Sequence, residues 1–146
     1  MATFPQVLID GTGFRWDLMA DGNIRDGTDN AFDYAFDLRD NTNDDYDLET
    51  RMDGRELVTR SGHEATGLSI AFERRLHVPE TAGWARFLDI VTNVGSSTIT
   101  YRMITDNNMG ANAATQVLAS SSGDAAFTTA DRWATVDDNV AGGGTP

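Results

Sequence analysis

A recurring turn chemistry constrains this chain more than any other feature. Asp10-Gly11, Asp21-Gly22, Asp26-Gly27, Asp53-Gly54 and Gly123-Asp124 punctuate it at short intervals. Asp bonds its own backbone through a short side chain and Gly accepts positive φ, so such pairs reverse the chain within a few residues. Between them lie short runs in which apolar and polar residues alternate, the period of a strand with one buried face. This pattern predicts an all-β domain, and the spacing of its strands suits an antiparallel β-sandwich.

Several runs can be placed. Val7-Leu8-Ile9 and Phe14 to Leu18 flank Asp10-Gly11-Thr12-Gly13 as a hairpin. Residues 31–38 alternate strictly, with Phe32, Tyr34, Phe36 and Leu38 on one side, and predict a half-buried strand. Tyr46 to Met52 and Arg55 to Arg60 flank Asp53-Gly54 as a second hairpin. In Gly67 to Val78 the residues Leu68, Ile70, Phe72, Leu76 and Val78 share a face with Arg74, and Pro79 closes the strand. A cation on that face calls for a bulge, a paired carboxylate or the margin of the core. Trp84 to Val94 is apolar enough to predict burial on both faces, and Thr98 to Thr105 alternates as a further strand. Val117-Leu118 and Arg132 to Val136 supply two more strands, and only 109–116 and 125–131 suggest helical turns. The expected core is Phe32, Phe36, Leu68, Ile70, Phe72, Leu88, Ile90, Ile99 and Tyr101, with Trp16 inside and Trp84 opening a buried run.

A chain of 146 residues is long enough to bury a core without disulfides or a structural metal. The expected arrangement is one domain over 1–140 with 141–146 as a Gly-rich tail or linker. All eleven cations are Arg, against 23 Asp and Glu, and the net charge of −12 repels nucleic-acid backbones and anionic membranes. The apolar runs are strand-sized, so no membrane insertion is expected. Met1 to Ile9 lacks a basic segment followed by a long apolar one. The absence of Cys suits a reduced cytosolic protein or a bacterial exported protein that dispenses with disulfides.

Chemistry-bearing groups are few. There is no Cys nucleophile, no Lys for a Schiff base or a phosphate-binding loop, and no Gly-x-Ser-x-Gly or His-Glu-x-x-His motif. Carboxylates are so abundant that no pair stands out for glycoside hydrolysis. Calcium is the sharper expectation, because it takes about six to eight oxygens from carboxylates, amides and carbonyls. Asn43, Asp45, Asp47 and Glu49 alternate onto one side of an extended backbone and form the candidate ligand set. The stretch Asp21 to Asn30 is also oxygen-rich, but its Gly spacing and its missing closing Glu do not fit an EF-hand. Among the tryptophans, Trp133 between charged and polar neighbours is the candidate for stacking on a sugar ring.

The series Arg74-Arg75-Leu76-His77-Val78-Pro79, Gly83 to Asp89 and Thr92-Asn93, with Ser121-Ser122-Gly123-Asp124, Asp131-Arg132-Trp133 and Asp137-Asp138, resembles segments of large secreted or surface-anchored bacterial multidomain proteins. In those proteins such segments sit in antiparallel sandwiches similar to the galactose-mutarotase-like super-sandwich. The resemblance spans roughly residues 7–140. Super-sandwiches are longer than this chain, so it implies a part of one or a compact relative. Mutarotase-type catalysis gathers histidines and a carboxylate around a sugar, and His63 and His77 fall in no such motif. The resulting expectation is a non-enzymatic structural or assembly module, extracellular or on the cell surface. It would associate through β-edges as a homo-oligomer or with adjoining domains. The alternative is a calcium-dependent carbohydrate-binding module.

Overall fold

The computed structural model describes residues 4–28, 31–38, 47–63, 69–110 and 116–137. Its elements are β1 (Gln6–Ile9), β2 (Arg15–Leu18), β3 (Ile24–Gly27), β4 (Asp37–Leu38), β5 (Asp47–Arg51), β6 (Glu56–His63), β7 (Ile70–His77), β8 (Arg86–Asn93), β9 (Thr105–Asp106), β10 (Gln116–Ser120) and β11 (Ala134–Asp137). The class is all-β. Every pairing is antiparallel: β1-β2-β3 form one sheet, β5-β6-β7-β8 a second, and β4-β9 and β10-β11 two ribbons.

The turns explain the hairpins. Asp10 is buried, and its Oδ1 accepts from Thr12 N at 2.8 Å, Thr12 Oγ1 at 2.7 Å and Phe14 N at 3.1 Å. Its Oδ2 accepts from Trp16 Nε1 at 3.1 Å, so one carboxylate fixes both the turn and the first buried tryptophan. Burial alone would raise its pKa, but these donors outweigh that and hold the group below its ordinary range. Gly11 donates to Ala82 O at 3.1 Å, and a Cβ there would lie 2.3 Å from Ala82 N. Only glycine lets the turn rest against residues 81–82.

Leu8, Trp16, Leu18 and Ile24 of the three-stranded sheet join Leu57 and Leu76 of the four-stranded sheet, and Val78 just beyond β7, in one core. Phe14 and Phe32 complete it through rings, with Trp16 and Phe32 stacked at 5.6 Å between centroids. A large buried aromatic contributes both apolar area and ring geometry, so this trio anchors the interface between the sheets. Arg55 fastens the outer end by donating to Val78 O at 2.8 Å and to Ile9 O at 2.7 Å.

The structure corrects four expectations. Residues 31–38 are not a continuous strand: Phe32, Tyr34 and Phe36 have φ of 63°, 53° and 61°, and only Asp37–Leu38 pairs as a strand. Tertiary contacts hold that left-handed path. Ile24 and Ala35 exchange backbone bonds at 3.0 Å, and Phe32 N and Asp33 N donate to Met109 O and Asn108 O. Second, β8 is not buried on both faces, since Leu88 is 41% and Val91 38% exposed. Trp84, expected to open a buried run, is likewise exposed, with its ring beside His77. Third, Thr98 to Thr105 is not a strand, because only Thr105–Asp106 pairs, with β4. Fourth, 125–131 is a loop and not a helical turn.

Of the expected core, Phe32, Ile70 and Phe72 are buried and Phe36 packs against the cluster. Ile90, Ile99 and Tyr101 are half-buried and Leu68 lies outside the described residues.

Candidate functional site: the open edge of the four-stranded sheet

The order β5-β6-β7-β8 leaves β8 at a margin, and its eight residues pair with β7 without a register shift, from Ile70↔Asn93 to His77↔Arg86. The direction of its free groups follows from one bond. Val94 N donates to Ser69 O at 2.9 Å, which makes that pair hydrogen-bonded. Hydrogen-bonded and non-bonded pairs alternate along an antiparallel ladder. Thr92, Ile90, Leu88 and Arg86 therefore exchange bonds with β7, whereas Asn93, Val91, Asp89 and Phe87 direct N–H and C=O outward. Among the described residues β8 has no ladder partner on that side. The segment 98–104, which follows β8 in the sequence, forms no strand against it.

Natural edges are usually blunted by Lys, Pro or a bulge. β8 has none of these. It does carry an inward charge, Asp89, but that charge is already matched. Arg74, directly opposite on β7, is fully buried and donates from Nε and Nη2 to Asp89 Oδ1 and Oδ2 at 2.6 and 3.0 Å. Its Nη1 donates to Phe36 O at 2.5 Å, Gly22 O at 3.3 Å and Asn23 Oδ1 at 3.5 Å. Its guanidinium carbon lies 5.7 Å from the Phe87 ring centre, and Phe87 stacks on Phe36 at 4.1 Å. Of the three resolutions that a cation on the apolar face called for, a bulge, a paired carboxylate or the margin of the core, the structure uses the paired carboxylate. Because a buried guanidinium is costly unless all its donors are used, the fork ties β8 to β7, to the β2–β3 turn and to residues 31–38 together.

The opposite face of the sheet carries a charge ladder over buried Val58. Glu49 Oε1 and Oε2 accept from Arg51 Nε and Nη2 at 2.7 and 2.8 Å, and Oε2 also accepts from Arg60 Nη2 at 2.9 Å. Arg60 Nε reaches Glu73 at 2.6 Å, and Glu73 also accepts from Arg75 at 2.6 Å. Bonds from Arg51 and Arg60 lower the Glu49 pKa to about 2. Of the calcium candidates, Asn43 and Asp45 lie outside the described residues. Asp47 and Glu49 share this face, with Asp47 open to solvent 3.7 Å from Arg60 Nη1. Glu49 would reach a cation only by giving up arginine bonds.

A second feature is an open cleft of about 470 Å³ lined by Asp33, Tyr34, Asp37, Asp106, Asn107 and Asn108. Tyr34 is exposed at its rim, and Asp37 stands directly opposite Asp106 across β4–β9. Sequence reasoning missed this cleft. Its walls lie about seventy residues apart, as the bond from Phe36 N to Asn107 Oδ1 shows. The described residues hold no cluster of three acidic or histidine side chains close enough for a metal ion.

Trp133 is exposed, as are Leu118 and Phe127 on the same β10–β11 ribbon and its loop. That loop is organised by Asp131, whose carboxylate accepts from Thr128 N and Ser122 N at 2.9 and 3.0 Å. Those donors hold its pKa well below the ordinary carboxylate range. His77 lies beside Trp84 on β7, and His63 closes β6 in register with Ile70.

Comparison with protein-family models, with curated proteins and with solved structures finds no match to this chain. What the chain does must be read from its own geometry.

Proposed function

We propose that this chain is a non-enzymatic structural module of an extracellular or cell-surface assembly, joined to copies of itself or to adjoining domains through a β-edge. The observation that carries the reading is β8: an eight-residue margin with outward N–H and C=O groups, an exposed apolar Leu88 and Val91, and an inward charge neutralised by Arg74. Main-chain pairing gives affinity without special side chains, and the flanking side chains set the register. At a net charge of −12, copies repel one another, so association strengthens with salt or calcium.

Sedimentation over micromolar concentrations, with and without salt and calcium, tests this. Val91→Pro removes one outward N–H while leaving the β7 ladder intact, and a proline is tolerated at such a position. It should abolish association without unfolding the chain. A strict monomer under every condition would refute self-association and leave only the adjoining-domain form.

The cleft favours a second reading, carbohydrate binding, with or without calcium at 43–49. An exposed Tyr34 beside carboxylates and amides offers a ring for a pyranose face and acceptors and donors for its hydroxyls. A glycan array with the parent chain, Tyr34→Ala and Trp133→Ala separates the cleft from the ribbon as the binding surface. An array blank for all three removes this reading.

A further inference from the structure

We infer that the strand seated on β8 is the β8 of a second copy, antiparallel about a two-fold axis through Asp89, which merges the two four-stranded sheets into one. This rests on the edge-pairing reading above and goes beyond it by naming the partner and the register. A two-fold interface is self-complementary, so the same patch must fit itself. β8 does.

An axis perpendicular to the sheet keeps each face on its own side, so odd residues meet odd and even meet even. The outward groups of Phe87, Asp89 and Val91 require that the odd residues form the hydrogen-bonded pairs. Centring on Asp89 satisfies this and places Phe87 opposite Val91 of the second copy, Leu88 opposite Ile90 and Arg86 opposite Thr92. The exposed apolar residues are thereby matched with apolar ones. Centring on Ile90 would set Asp89 against Val91 and Leu88 against Thr92, mating charge and hydroxyl with apolar side chains.

The pairing of Asp89 with its copy at the axis would ordinarily be repulsive. Here each carboxylate is held by its own buried Arg74 at 2.6 and 3.0 Å, so the centre is two neutral ion pairs side by side. Arg86, the other charged residue of β8, is matched within its own sheet by Glu56 at 3.2 Å. The edge is therefore locally uncharged within a strongly acidic molecule. The remaining repulsion is diffuse and screened by salt.

The absence of Cys makes the register directly readable. Leu88 and Ile90 of the second copy face each other as a non-hydrogen-bonded pair, whose Cα separation of about 4.5 Å falls within disulfide reach. Identical positions, Leu88 with Leu88 or Ile90 with Ile90, sit diagonally at about 7–8 Å and fall outside it. Leu88→Cys and Ile90→Cys proteins should thus cross-link on mixing under mild oxidation, with the heterodimer at least about tenfold over either homodimer. Val91→Pro in either partner should abolish the product.

Hydrogen exchange on the unmodified chain gives a second readout that needs no substitution. The amides of Phe87, Asp89 and Val91 should slow at least about tenfold as concentration rises into the dimer range. Ile90→Cys cross-linking to itself would move the axis and overturn the register. A sedimenting dimer with neither cross-link nor slowed amides at these positions would overturn the proposal, although another edge would still serve the broader reading. Slowed amides in a strict monomer would mean that the chain's own 98–104 covers β8 and would overturn the proposal. A monomer with fast amides would remove self-association and leave only the adjoining-domain form of the broader reading.

Discussion

Replacing Asp89 by Ala tests whether the buried fork holds the molecule together. Arg74 is fully buried, and Asp89 supplies the acceptors for two of its three nitrogens and all of its neutralising charge. In Asp89→Ala the guanidinium keeps, among the described residues, only the neutral acceptors of Phe36, Gly22 and Asn23. Breaking a buried pair by removing one partner costs about 3–5 kcal/mol, because the other charge stays desolvated. With a urea slope of about 2 kcal/mol/M, the midpoint should fall by roughly 2 M at an unchanged slope. The buried Trp16 provides the fluorescence signal. The decisive measurement is the cycle with Arg74→Met. If the charge left behind causes the loss, the double variant should be more stable than the sum of the singles predicts, by about 1–3 kcal/mol. A cost under about 1 kcal/mol for Asp89→Ala, or additivity within about 0.5 kcal/mol, would refute the reasoning.

Three further outcomes are expected. Gly22→Ala should destabilise clearly more than Gly54→Ala in denaturation, since both have positive φ but only at Gly22 would a Cβ meet Arg74 Cδ, at 2.6 Å; equal costs would mean that the fork yields freely. Glu49 has a pKa of about 2 through Arg51 and Arg60, and Glu73 is also lowered because bonds from Arg75 and Arg60 outweigh the opposing effect of burial. The stability these groups supply is therefore complete above the ordinary value of 4.5 and is lost as pH falls toward about 2. Glu49→Gln should flatten the acid limb of a stability–pH curve in that window, and an unchanged limb would place the loss elsewhere. Finally, if calcium binds at 43–49, it should raise the melting temperature of the parent chain and not of Asp45→Ala, and a parent curve indifferent to chelator would remove the metal.

The hairpins could be read from the sequence because their causes are local. Asp10 with Thr12, and Asp53-Gly54, set turns within a few residues, and β7 alternates with the period of its own pleat. Arg74 was readable as a cation needing a bulge, a paired carboxylate or the margin of the core, since it breaks an otherwise apolar row. The alternation of Phe32, Tyr34 and Phe36 misled because a left-handed residue at every second position mimics a strand in one-letter code. What selects that path is Trp16, Phe87, Asn107 and Asn108, all distant along the chain. The same applies to the site. Whether β8 is an interior or a marginal strand depends on whether 98–104 pairs with it, and the residues of β8 carry no record of that. The cleft was invisible because its walls come from two segments that meet only through tertiary contacts.

Arg74 also has a consequence for the order of folding. The strands β5 to β8 are joined consecutively, so hairpin closures of modest length assemble them, and isolated hairpins form in about 1–10 μs. The carbonyls of Gly22 and Phe36 lie 52 and 38 residues away in the chain. Docking of the three-stranded sheet therefore has to wait for long-range closure, with the guanidinium still partly hydrated until it arrives. Contacts made after the barrier slow unfolding and leave the folding rate nearly untouched. The Nη1 bonds should thus act as a late latch, setting how long the native molecule survives and not how fast it forms.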